Sequence, residues 1–135
     1  MSRKYLEELG IDINNNTPWD RKRKYKIKYI KQRMKYGFDE RETWSLDNTM
    51  NLLLYERLCR YKELAENMID LDFHTFEFKG EVLTQRQCID RMIEGLKLDL
   101  TLDMYDTVRE DDEQVKEKIG DVWKLYDLCR NVLWW

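Results

Sequence analysis

The sequence predicts a mainly α-helical fold, a helical bundle of about four helices with at most one small β-hairpin near residues 74–83. Three observations lead there. Gly and Pro are scarce, at 5 and 1 of 135 residues, while charged residues reach 38%, a mix that suits long helices with solvated faces better than a turn-rich β fold. Four segments repeat their apolar residues in steps of three and four. Two capping boxes stand in front of such segments, Asp39 with Glu42 and Thr84 with Gln87. With 42% apolar residues and 13% aromatics, the chain can bury a core without staples. No uncharged apolar run is long enough to span a bilayer, and none follows the charged start as a signal peptide would, so a cytosolic protein with no membrane partner is expected.

The chain opens with a short amphipathic piece, Tyr5, Leu6 and Leu9, closed by Gly10 and followed by an Asn14–Asn16 loop. Residues 1–16 read as an N-terminal extension and 17–135 as a single helical domain. Thr17-Pro18-Trp19-Asp20 is a helix-start signal, with Thr17 as N-cap and Pro18 in the first helical position. The basic segment after it is ambiguous in detail: Tyr25, Ile27 and Tyr29 alternate like a strand, whereas Ile27, Ile30 and Met34 are spaced like a helix. The start signal and the Lys/Arg/Gln content favour a helix, closed by Gly37.

The Asp39–Glu42 box and a second cap at Ser45 imply one helical turn, a kink around Thr43-Trp44, and a long helix to about Met68. Its stripe is Leu46, Met50, Leu53, Leu54, Leu58, Tyr61, Leu64, Ala65 and Met68, and Trp44 at the kink is expected to anchor the core. Phe76 to Leu83 alternates about Lys79-Gly80, as a hairpin would. The helix opened by Thr84 carries Ile89, Met92, Ile93, Leu96, Leu100 and Met104 on one stripe. Acidic residues 110–113 mark a loop or a helix N-terminus, where negative charge is favourable. The last helix repeats Val115, Ile119, Val122, Tyr126, Cys129 and Leu133, a narrow a/d seam. With Trp134-Trp135 at its end, that seam predicts a homodimer or higher homo-oligomer.

No catalytic constellation is signalled. Cys59, Cys88 and Cys129 are widely spaced and odd in number, so they read as small core hydrophobes rather than a disulfide framework or metal site. His74 is the only histidine, and neither a Glu-x-x-His pair nor a Gly-rich phosphate loop occurs. No enzyme activity, metal or cofactor is therefore expected, and binding is what remains. Two surfaces are candidates.

Residues 21–35 carry nine positive charges and no acidic one, so against an overall −3 the rest of the chain nets −12. Arg21, Arg23, Lys24, Lys28, Lys31 and Arg33 could meet an anion or a nucleic acid, with Tyr25, Tyr29 and Tyr36 as stacking rings; the alternatives are that the segment folds back on the acidic body or is a solvated face. The second candidate is a ligand site of Arg41, Trp44, Asp47 and Arg57, suited to an anion or an aromatic ring. Its structural alternative is an internal network that fixes the kink, Arg41 or Arg57 pairing with Asp47 over a buried Trp44.

The run Tyr36-Gly37-Phe38-Asp39-Glu40-Arg41-Glu42-Thr43-Trp44-Ser45-Leu46-Asp47 resembles the hallmark of a family of small, helical, bacteriophage-encoded proteins. The resemblance continues through Arg57-Leu58-Cys59-Arg60-Tyr61-Lys62 and, more weakly, Arg91–Leu96, Lys118-Ile119 and Leu133–Trp135; the N-terminal extension and the Phe76–Val82 stretch depart from it. It implies a phage protein in the host cytoplasm without implying an activity. Small phage proteins of this kind are often counter-defence inhibitors, and the expectation is a non-enzymatic binding protein that sequesters a nucleotide-like signal or a host defence protein. The alternatives are a nucleic-acid-binding accessory of phage replication or packaging, using residues 21–35, and a structural or scaffolding component.

Overall fold

A computed structural model describes residues 4–11, 23–101 and 112–134. The predicted Asn14–Asn16 loop, the Thr17–Asp20 helix start, Met104, Asp111 and Trp135 lie outside the described residues. The fold is mainly α-helical with one small antiparallel hairpin, as the periodicity predicts. Packing divides the chain into two compact units, residues 1–51 and 52–135, and the border falls within the long helix.

In the first unit α1 (Lys4–Glu8) buries Leu6 and ends at Gly10, whose φ of 75° lies in the left-handed region that closes helices. Helix α2 (Arg23–Tyr36) confirms the helical reading of the basic segment. It ends where Gly37, at φ 85°, donates its N–H to the Arg33 carbonyl at 2.9 Å. A 3₁₀ turn over Glu40–Thr43 follows, opened by the predicted capping box: Asp39 takes the Arg41 N–H, and the Asp39 N–H is taken by the Glu42 carboxylate at 3.1 Å. Helix α3 (Leu46–Ala65) begins after two intervening residues, Trp44 and Ser45, so the predicted single turn ahead of the long helix forms. Trp44 at the predicted kink does not anchor a core. It is 54% exposed, and Leu46 and Met50 of the expected stripe are exposed too.

The second unit is built on α4 (Gln85–Thr101) and α5 (Glu113–Cys129). Between α3 and α4, β1 (Thr75–Phe78) pairs with β2 (Glu81–Thr84) in the register Phe76 to Leu83. The Lys79-Gly80 loop has positive φ at both residues, 50° and 77°, the pattern of a type I′ turn. Two strands alone are marginal in water. Here Lys79 Nζ reaches Glu117 at 3.0 Å and Asp121 at 2.8 Å on α5, tying the tip down. The second capping box also forms, the Thr84 N–H meeting the Gln87 Oε1 at 2.9 Å and the Gln87 N–H the Thr84 Oγ1 at 3.2 Å. Two further N–H groups of that first turn are satisfied by the loop, Gln85 by the His74 carbonyl and Arg86 by that of the buried Leu71.

The core of this unit joins Leu58, Ala65 and Leu71 to Leu83, Cys88, Ile89, Met92 and Leu96, and to Val122, Leu125 and Cys129 of α5. Asp112 is the α5 N-cap, accepting from the N–H groups of Gln114 and Val115. Helix α5 packs against α4, and of its predicted seam Val122 and Cys129 are buried while Val115, Ile119, Tyr126 and Leu133 are half-buried. The long helix stops at Ala65 and leaves exposed Met68 in the turn beyond, outside the stripe predicted for it. The chain end is held by its backbone: the Tyr61 hydroxyl donates to the Trp134 carbonyl at 3.0 Å, and the Gln85 amide donates to the Val132 carbonyl at 3.0 Å. The Trp134 indole itself is 63% exposed rather than buried. Cys88 and Cys129 are fully buried free thiols, and burial beside Cys88 pushes Cys129 up to about 12, in keeping with their reading as core hydrophobes.

Among the described glycines of this unit, Gly95 is the one packed against a neighbouring helix. A Cβ there would stand 2.5 Å from the Lys118 carbonyl oxygen and 2.5 Å from Val122 Cγ2, too close to fit without moving backbone. Gly95→Ala is expected to lower stability in urea denaturation by roughly 1–3 kcal/mol, overpacking outweighing the helix propensity gained. Gly120→Ala, with nothing within 4 Å of its Cβ, is the control and is expected to be neutral or up to about 1 kcal/mol stabilising. Equal stability of the two variants would contradict this packing.

Candidate functional site

The charged-aromatic knot of the first unit is assembled from the middle of α2, Lys28 to Arg33, and the 3₁₀ turn. Asp39, the turn's N-cap, is 3% exposed. The Arg41 guanidinium grips it from two sides, Nε on Oδ1 at 3.0 Å and Nη2 on Oδ2 at 2.9 Å, and Arg33 Nε stands 3.5 Å from Oδ2. The same guanidinium lies 4.2 Å over the ring of Tyr29, which is 2% exposed. One helical step away, Gln32 and Glu40 bond reciprocally, the Gln32 amide nitrogen to the Glu40 carboxylate at 3.0 Å and the Glu40 N–H to the Gln32 oxygen at 2.9 Å. Lys28 completes the Glu40 carboxylate. The inward face of α2 is therefore centred on Tyr29 and Gln32, with the half-exposed Lys28 and Arg33 at its two edges.

This arrangement corrects the predicted pairing. Arg41 binds Asp39, not Asp47, because the capping residue two positions back already aims its carboxylate at the turn. Asp47 accepts instead from the Ser45 hydroxyl at 2.9 Å, and that bond first, then the Asn48 N–H, hold its carboxyl below the usual range. Trp44 is half exposed. Arg57 belongs to the second unit, where it donates to the Leu53 carbonyl at 3.3 Å. Of the four residues proposed as a ligand site, Arg41 is committed internally, and Trp44 and Asp47 are on the surface.

Of the predicted anion-binding residues, Arg21 lies outside the described residues, and Arg23 and Lys24 are described only as backbone of α2. Lys28 and Arg33 have carboxylate partners in the knot, and Lys31 is exposed, as are Lys26 and Lys35. Sequence reasoning missed what shares this surface. Ile27, Ile30 and Met34 are 45%, 51% and 83% exposed, and Phe38 is 47% exposed. The signal was in the sequence: their helical spacing marks a stripe, and Tyr29, the partner of Arg41, belongs to the opposite side.

Among the described residues no group of three or more His, Cys, Asp or Glu side chains could hold a metal ion, and no helix is long and apolar enough to cross a membrane. No protein-family model matches this chain, and no curated protein or solved structure matches it either.

Burial alone would raise the Asp39 carboxyl, but the hydrogen bonds and charge of Arg41, with Arg33 beside them, hold it below its ordinary value. A carboxyl lowered on folding stabilises fully above its unfolded value, and that stability is lost as pH falls through the lower folded one. Asp39→Asn is expected to cost roughly 1.5–3 kcal/mol at pH 7. The gap from wild type should narrow as pH falls below about 4. Denaturation midpoints across that range check this, and a gap constant from pH 7 to pH 2 would contradict it.

Proposed function

We propose that the protein is a phage-encoded, non-enzymatic binding protein that acts in the host cytoplasm as a counter-defence inhibitor, by occupying the surface of a host protein. The observation that carries this reading is the exposed set Ile27, Ile30, Met34, Phe38, Trp44 and Leu46 in the first unit, large apolar side chains of which the first three stand among the lysines of α2. Surfaces of that kind mark protein contacts more often than solvated faces. A nucleotide-like signal is the less favoured ligand, because the Arg41 fork that would hold its phosphate is already filled by Asp39. A nucleic-acid accessory is the second reading, favoured by the exposure of Lys26, Lys31 and Lys35; exposed Ile30 and Met34 have no role in tracking phosphates.

Plaque formation tests the reading. Hosts carrying single defence systems and expressing this protein are challenged with a phage that each system blocks. Wild type is expected to restore plaquing on at least one host, and Ile30→Asp/Met34→Asp to restore it at least about tenfold less at equal protein level. Restoration by neither, across a broad panel, contradicts a counter-defence role.

A further inference from the structure

Helix α2 has two faces with different fates. At about 100° per residue, Tyr25, Tyr29, Gln32 and Tyr36 share one side, and Ile27, Ile30 and Met34 lie within an arc of roughly 60° on the opposite side. The knot takes the first side, through Arg41 over Tyr29 and the Gln32–Glu40 bonds. The second side is left outward, and its three apolar residues are all exposed.

The spacing of that stripe, three then four residues, is the a–d–a step of a helix-pairing seam. The positions that flank such a seam, and that set which helix is accepted, are then Lys26, Lys31 and Arg33, every one basic and exposed. Arg33 also reaches Asp39 at 3.5 Å from its Nε, yet its side chain stays 53% exposed. Three observations choose the occupant. A second α2 would set cations against cations along both edges, so self-pairing through this helix is opposed. The arc is narrow, about one seam wide, where a helix lying in a lipid headgroup layer presents a broad apolar face. A nucleic acid would leave Ile27, Ile30 and Met34 without a contact that matches them.

We infer that α2 docks an amphipathic helix of another protein, with apolar residues at its own a and d positions and Glu or Asp flanking them. The inference deepens the counter-defence reading and rests on it for the identity of the partner as a host protein. The seam supplies apolar anchoring, and the lysines supply choice of partner and salt dependence. Docking on this face leaves the knot intact, since Tyr29, Gln32 and Arg41 lie on the other side of the helix.

The test uses the full chain and synthetic three-heptad peptides with Leu at a and d, one with Glu at e and g and one with Lys there, followed by fluorescence anisotropy. The acidic peptide is expected to bind at least about tenfold more tightly than the basic one, and to weaken as salt rises. Ile30→Asp is expected to weaken it about tenfold or more, with the helical circular dichroism unchanged. Lys26→Glu/Lys31→Glu, which leaves the knot and the stripe alone, is expected to reverse the preference toward the basic peptide, and decides the matter if Ile30→Asp disturbs folding. Equal binding of both peptides, or binding indifferent to both variants, overturns the inference. So does failure of the acidic peptide alongside tight binding to phosphatidylglycerol vesicles, to a DNA duplex, or between copies of this chain. The peptides report on the seam without any phage or host, so plaquing restored without peptide binding removes the seam alone. Peptide binding without plaquing keeps the seam and removes the counter-defence role.

Discussion

A carboxylate taken almost wholly out of water must be met by cations and N–H groups, and at Asp39 that requirement organises the first unit. The Arg41 fork meets it, and the same guanidinium covers Tyr29, so one side chain fixes both the turn and the face that α2 turns toward it. Gln32 and Lys28, on neighbouring turns, hold Glu40 and keep the helix from rotating about its axis. The outward position of Ile27, Ile30 and Met34 follows from these bonds. Of what looks in sequence like a ligand-binding cluster, Arg41 is thus scaffold while Trp44 and Asp47 stand at the surface, and the apolar stripe of α2 lies on the other side of the helix.

The second unit rests on a different constraint. At Gly95 the absent side chain lets α4 approach the α5 backbone, and Val122, Leu125 and Cys129 fill the space beside it. The polar demands of its helix ends are met locally, by the Thr84–Gln87 box, the Leu71 and His74 carbonyls, and the Asp112 cap. Among the described residues one buried polar group remains costly: Gln85 is fully buried, and its Oε1 has no hydrogen-bond partner there while its amide nitrogen serves Tyr61 and Val132. Its use in fastening the chain end to α3 and α4 is the structural return on that cost.

Much of this was legible because it is set by local chemistry. The hairpin turn at Lys79-Gly80, both capping boxes and the helix stop at Gly37 depend on residues within a few positions of one another, and each stands where the sequence places it. Errors arose where burial depends on distant packing. Period alone cannot say which side of a stripe meets a neighbour: Leu46, Met50 and Trp44 read as core and are exposed, while Leu125, outside the predicted seam, is buried. The expected partner of Arg41 was Asp47, whereas the capping geometry aims the nearer Asp39 carboxylate at the turn. The chemistry of the site was thus visible as residue types, but its inside and outside were not.

Hydroxyl-radical footprinting, read residue by residue by mass spectrometry, tests most directly that the knot faces inward and the α2 stripe outward. Met34 at 83% exposure and Trp44 at 54% are expected to oxidise rapidly, while Tyr29 at 2% and Met92 at 0% stay protected until the protein unfolds. Protection of Met34 to the level of Met92, with Tyr29 reacting freely, would show that the helix is turned the other way and would contradict the assignment of its outward face.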